Sequence, residues 1–159
     1  MNTLVPQKDL VELYDRITRE ITPRAAGIRL RPDTTEPEGE IYTVYVTFEK
    51  GFHMTLSLCA EKFLFIRMAQ YMMQTEEISR QDMEDVAKEY INVLCGHFSS
   101  QLFQLTKIPP RFSVPAFQAG RYTPEGHRED IVLTYSGDHG EHTQLTHHVL
   151  LDDAQAGRA

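Results

Sequence analysis

Residues 41–73 read IYTVYVTFEKGFHMTLSLCAEKFLFIRMAQYMM, and the reading of this stretch decides the fold. In its first part Tyr42, Val44, Val46 and Phe48 fall on every second position. Beyond Glu49-Lys50-Gly51, Phe52, Met54, Leu56 and Leu58 alternate with His53, Thr55, Ser57 and Cys59. A period of two sends successive side chains to opposite faces of a pleated strand. The stretch therefore predicts two strands, 41–48 and 52–60, each buried on one face. The Gly-containing triplet between them suits a short hairpin connection. From Ala60 the pattern changes. AEKFLFIRMAQYMM (60–73) is rich in Met and Phe, holds Ile66 as its one β-branched residue, and reads as a helix. A hairpin running into a helix points to an antiparallel sheet with helices laid on it.

Upstream, residues 6–22 form a helical pattern in which Leu10, Leu13, Tyr14, Ile17 and Ile21 make one apolar stripe. Pro6 suits a first helical position, and Pro23 is read as the stop. RPDTTEPEGE (31–40) reads as a polar loop. Downstream, QTEEISRQD leads into the longest helix, 80–106, with Ser79 and Asp82 spaced as an N-terminal cap. Pro109-Pro110 ends that segment. The remainder predicts strands at 111–117, 130–135 and 142–151, with turns at Gly126, Gly137 and Gly140. No repeat or linker divides the chain, so 1–159 is expected to be one domain with frayed ends at 1–5 and 152–159. The expected class is α+β: a two-layer sandwich, its sheet largely antiparallel and its helices on one face.

The totals limit the function. With 41% hydrophobic and 25% charged residues the chain is ordinary for a soluble globular protein. A net charge of −7 argues against nucleic acid or an anionic membrane as the main partner, since neither would be attracted. No apolar run approaches the length of a membrane span, and the N-terminus lacks a basic start followed by an apolar block. A cytoplasmic protein is expected. Cys59 and Cys95 sit in apolar segments and read as buried, reduced thiols, with a disulfide the less favoured alternative.

The long helix carries the chemistry. On a wheel of about 100° per residue, Met83, Ala87, Tyr90, Ile91, Leu94, Phe98, Leu102 and Leu105 gather on one side. Asp85, Glu89, Asn92 and Gly96 gather on the other. Each has a plain explanation alone: a solvated carboxylate, a tolerated amide, a close helix crossing. A crossing glycine belongs on the core side, however, and this one points outward while costing the helix about 1 kcal/mol relative to alanine. An outward glycine beside a carboxylate and an amide makes sense if a partner docks closely there. Asn offers both donor and acceptor on a short stem, which suits it to aim a water.

Glu89-x-x-Asn92 with Gly96 resembles the mark of the CheC/CheX/FliY chemotaxis phosphatases, and of CheX-like members in particular. FHMTLSLCAEKFLFIRMAQYMM before the helix and IPPRFSVPAFQAG after it look like CheX in order and character, over roughly 40–135. The resemblance implies removal of the phosphoryl group from the aspartyl phosphate of a CheY-like response regulator. It implies that Asn92 orients the attacking water and that Glu89 pairs with the regulator's active-site lysine. Asp85 and Gly96 would complete the docking face. It also implies that Mg²⁺ belongs to the regulator, with no cofactor held by this chain, and that the protein is a homodimer. CheC-type members carry two such motifs. This chain has asparagine only at Asn2 and Asn92, so it has at most one site. It departs from the family at Tyr90 and Ile91, where smaller residues are usual. Both fall on the core side of the wheel, so the departure bears on packing, and through packing on whether Asn92 holds a water in line. The alternative on the same scaffold is a non-catalytic module that binds a receiver or flagellar partner; a purely structural oligomer subunit is the weakest of the three.

His139, His142, His147 and His148 cluster late in the chain. Their spacing matches no structural zinc pattern, and they read as strand and turn surface, not as a metal site. Met68, Met72 and Met73 read as core. No phosphate loop and no nucleophile elbow is present.

Overall fold

The change of period falls where the sequence places it. In the structure, a computed structural model describing residues 5–49 and 52–151, strand β2 (Ile41–Glu49) pairs antiparallel with β3 (Met54–Glu61), and helix α2 (Lys62–Met73) follows at once. Lys50 and Gly51 of the expected hairpin connection lie outside the described residues, as do 1–4 and 152–159 of the expected frayed ends. The register sets Val44 against Leu58, Val46 against Leu56 and Phe48 against Met54, all buried under the helices. Strand β1 (Leu30–Pro32) lies at one edge of a seven-stranded antiparallel sheet. Then come β6 (His127–Gly137), β7 (His142–Leu150), β3 and β2. Two short strands, β4 (Arg111–Phe112) and β5 (Ala116–Ala119), share the outer edge of β2. Helices α1 (Gln7–Ala26), α2 and α3 (Arg80–Thr106) cover one face, which is the α+β sandwich expected.

Several local readings change. Helix α1 does not stop at Pro23: the proline lies in its last turn, where it forfeits one backbone bond, and the helix ends at Gly27 in the left-handed region. A side chain there would be strained at φ 70° and would also enter the Tyr71 ring of α2, so only glycine lets α1 and α2 meet. Within the polar loop 31–40, Arg31 and Pro32 instead complete edge strand β1, where a proline lacking an N–H is tolerated. The strand expected at 111–117 is split around Ser113, whose backbone and hydroxyl both bond to Thr47. Finally, β3 is buried on both faces. The side carrying Thr55, Ser57 and Cys59 is covered in part by Arg121 and Tyr122: Arg121 bonds to Gln144, and Tyr122 stacks on Tyr45 with ring centres 3.7 Å apart. Of the Met run, Met68 is fully buried, Met72 packs against the core and Met73 is exposed. Both cysteines are free and buried.

Histidine 147 lies in the core and not on a strand surface. It sits on the helix side of β7, and its Nδ1 is 2.7 Å from the Tyr14 hydroxyl of α1. Burial pushes its pKa down from 6.5 to about 4. As pH falls, the unfolded chain takes up this proton before the folded chain does. The neutral imidazole therefore supports the fold fully above pH about 6.5 and progressively less towards pH 4, a loss on the order of 3 kcal/mol. Urea unfolding at pH values across that window is expected to show the decline; burial lowers His148 to about 4 as well, so His147→Gln is expected to remove only part of it.

Candidate functional site

Helix α3 begins with a complete capping box. The Ser79 hydroxyl accepts from the Asp82 N–H and the Asp82 carboxylate accepts from the Ser79 N–H, both at 3.0 Å. The start of the helix is thus fixed, and burial fixes its rotation. Met83, Ala87, Tyr90, Ile91, Leu94, Phe98 and Leu102 all point into the core. Leu105, expected with them, is 56% exposed, as is neighbouring Phe103 at 45%: the last turn runs past the layer beneath it.

With that face inward, Asp85, Glu89, Asn92 and Gly96 are all solvent-exposed. The structure brings these four together as one outward stripe. Asp85 accepts a hydrogen bond from Gln81 at 2.8 Å. Glu89 and Asn92 have no hydrogen bond or ion pair to another side chain among the described residues, so their polar atoms face water. Lys88, the adjacent cation, is engaged by Glu84 at 2.9 Å and does not neutralise Glu89. A Cβ placed on Gly96 would meet nothing within 4 Å. Among the described residues there is no packing reason for this glycine.

Tyr90 and Ile91, the two residues between Glu89 and Asn92, are fully buried. The Tyr90 hydroxyl lies 2.5 Å from Thr22 Oγ1 of α1, and burial pushes its pKa well above that of a free phenol. They anchor the helix and leave its outward surface unobstructed. The late histidines are dispersed. His147 faces α1, while His148 lies on the other sheet face with its Nε2 2.9 Å from Ser57 Oγ. His142 bonds to Glu61, and His139 lines a groove beside Arg67. Among the described residues no three His, Cys, Asp or Glu side chains gather as a metal ion would require. Among the described residues no helix is long and apolar enough to cross a membrane. Reading the sequence alone leaves out Arg16 and Arg24, which line a groove between α1 and α3. Their spacing of eight residues was visible, but nothing in the sequence states which helix lies alongside.

A family model described as "Chemotaxis phosphatase CheX" matches residues 42–134. No curated protein matches. Solved structures with a similar fold include chemotaxis protein CheX from Desulfovibrio desulfuricans. It is 15% identical, with a TM-score of 0.70, over 87% of this chain and 97% of that one. CheX from Vibrio vulnificus is 14% identical, with a TM-score of 0.71, over 92% and 99%. The CheX-CheY-BeF3-Mg+2 complex from Borrelia burgdorferi is 12% identical, with a TM-score of 0.67, over 87% and 96%. At these identities the likeness is one of fold.

Because Gly96 is exposed and unopposed, Gly96→Ala is expected to raise stability by about 0.5–1 kcal/mol through helix propensity alone. A thermal melt reads this directly; destabilisation would mean that the glycine serves packing within the chain after all.

Proposed function

The chain belongs to the CheX chemotaxis-phosphatase family, and we propose that it hydrolyses the aspartyl phosphate of a CheY-like response regulator from the outward stripe of α3. One observation supports this most: Glu89 and Asn92 face solvent unpartnered, one turn apart, on a helix whose rotation is set by the buried residues between them. A site meant to act within the chain would have its polar atoms satisfied there. This one offers them to a partner.

On this reading Asn92 enters the regulator's active site. Its amide takes one hydrogen bond from a water and gives one, aiming the oxygen at phosphorus opposite the aspartyl oxygen. The water oxygen–phosphorus bond forms and the phosphorus–aspartate bond breaks. The products are inorganic phosphate and a free carboxylate, with the water's proton passing to the phosphate. Mg²⁺ belongs to the regulator and neutralises charge there. Phosphoryl transfer leaves a protein mainly positioning and electrostatics to supply, which is what a helix bearing one amide and one carboxylate can offer. Glu89 pairs with a cationic side chain of the partner and fixes register. Gly96 lets the two backbones approach.

The alternative, a binding module without catalysis, is kept because Tyr90 and Ile91 depart from the family's small residues. One assay separates the two: decay of phosphorylated regulator with Mg²⁺, with and without the protein. Acceleration is expected; none with any CheY-type receiver of the source organism would leave only the binding module. Asn92→Ala is expected to cost on the order of 100-fold in the accelerated rate, about 2.7 kcal/mol, with an unchanged melting temperature. Glu89→Ala is expected to raise KM about tenfold with little change in kcat. A homodimer acting in the cytoplasm is part of the same proposal, and sedimentation velocity tests the dimer.

A further inference from the structure

The outward stripe of α3 does not end at Gly96. Phe103 follows Asn92 by eleven residues and Gly96 by seven. At about 100° per residue both intervals close to within about 20° of whole turns, so Phe103 stands in line with the two of them. Asp85, Glu89, Asn92, Gly96, Ser100 and Phe103 succeed one another at steps of three or four, and all six are exposed. Phe103 is 45% exposed and stacks on no ring among the described residues. Gly96 and Ser100, the residues between Asn92 and Phe103 on this line, are both small.

The angle separates Phe103 from its neighbour Leu105. Leu105 lies on the core side of the helix and is bare because the layer beneath it ends. Phe103 lies nine residues after Leu94, which is fully buried, and so half a turn out of phase with it. A longer layer would cover Leu105 and leave Phe103 bare. Phenylalanine is also a middling helix former, so neither the core nor helix propensity accounts for it at this position. Distance does connect it to the candidate site. At about 1.5 Å of rise per residue, Phe103 lies about 13 Å along the axis from the midpoint of Asn92 and Gly96. A standard protein interface covers about 800 Å² on each partner, a disc of about 16 Å radius. A partner centred on that midpoint therefore reaches Phe103, and the low surface at Gly96 and Ser100 lets it come down against the ring.

We propose that Phe103 is the apolar anchor of the docking face, received by an apolar depression of the receiver beside its phosphorylation site. The proposal rests on the reading in which a receiver docks on Glu89 and Asn92. Its argument is continuity along one helix face and what the rest of that face lacks. Asp85, Glu89, Asn92 and Gly96 bring no apolar side chain to a partner. Polar pairs fix register at an interface, whereas a few buried aromatic or arginine side chains carry most of the affinity. Phe103 is the one large apolar side chain on this line. A receiver that meets Asn92 at one end of the contact and Phe103 at the other is also fixed in direction along the helix axis. Phe103 touches no reacting atom, so it acts on docking and not on the chemical step.

The test is binding of CheY-type receivers of the source organism, loaded with beryllofluoride and Mg²⁺, measured by fluorescence anisotropy. Phe103→Ala is expected to weaken binding about tenfold. The factor should be the same at about 0.02 M and about 0.3 M salt, because an apolar contact is not screened. Phe103→Leu keeps apolar bulk and is expected to fall between. Leu105→Ala, one turn position away on the other side, is expected to bind as the wild type does. Alanine is the better helix former and the site is exposed, so all the variants are expected to melt as the wild type does or above it. In the decay assay KM should rise for Phe103→Ala with kcat unchanged. Equal binding by Phe103→Ala and wild type would overturn the anchor, as would an equal loss in Leu105→Ala. So would a dimer, seen by sedimentation, that Phe103→Ala dissociates while receiver binding stays intact, since the occupant would then be a second copy. Receiver binding that needs Phe103 without any acceleration of dephosphorylation would overturn the phosphatase reading and leave the anchor standing. Acceleration that needs Asn92 but ignores Phe103 would do the reverse. If no receiver binds the wild type, both fall.

Discussion

Everything at the candidate site depends on how α3 is rotated about its own axis. One residue of rotation is about 100°, enough to carry Asn92 from solvent to the edge of the core. Burial prevents it. Tyr90, Ile91, Leu94 and Phe98 are each at most 1% exposed, and each large side chain moved from water to core is worth about 1.5–3 kcal/mol. Against that, an exposed glycine costs about 1 kcal/mol, so the inward face decides the rotation without help from the outward one. The outward residues are thereby released from any structural duty, and Glu89, Asn92 and Gly96 are free to answer to something outside the chain.

The same constraint accounts for the departure from the family's usual motif. Large residues between Glu89 and Asn92 would be an obstacle on a surface. Here they are the anchor. Tyr90 is buried with its hydroxyl satisfied by Thr22, so the polar tip costs little and the ring contributes its full burial. Because Thr22 belongs to α1, the contact that fixes the rotation of α3 also fixes which helix lies beside it. The packing of the motif and the position of α1 beside it are one arrangement.

Much of this was legible in the sequence, because periodicity reports which face a residue is on without any knowledge of what covers it. The strand–strand–helix order of 41–73, the cap at Ser79 and the outward placing of Asp85, Glu89, Asn92 and Gly96 needed nothing more. What escaped needed neighbours. β1 is three residues long and exists because β6 offers an edge. Thr55, Ser57 and His148 read as the wet side of a sheet, but they are buried by neighbouring segments that no local pattern reveals. His147 reads as strand surface, yet it lies in the core, against a partner, Tyr14, 133 positions away. Leu105 keeps the right angle on the wheel, but the layer it should cover ends before it. The groove between α1 and α3 escaped for the same reason: Arg16 and Arg24 line it only because a second helix lies alongside.

There remains the matter of sign. A carboxylate-bearing helix face on an acidic chain is a poor lure for a phosphorylated partner, and general attraction cannot be its role. Close approach must then come from groups that are specific in place. On the proposed reading Glu89 is favourable opposite a cation of the partner and unfavourable opposite a carboxylate. It is then, on the same reading, a discriminator, adding little affinity and rejecting wrong alignments. With Lys88 held by Glu84, no nearby cation softens this requirement. A water aimed by Asn92 is useful only within a few tenths of an ångström of the line of attack, so an amide that positions a water gains most from a neighbour that rejects misalignment. On that reading the spacing of Glu89 and Asn92, three residues apart on one face, sets selector and positioner within about one helical turn.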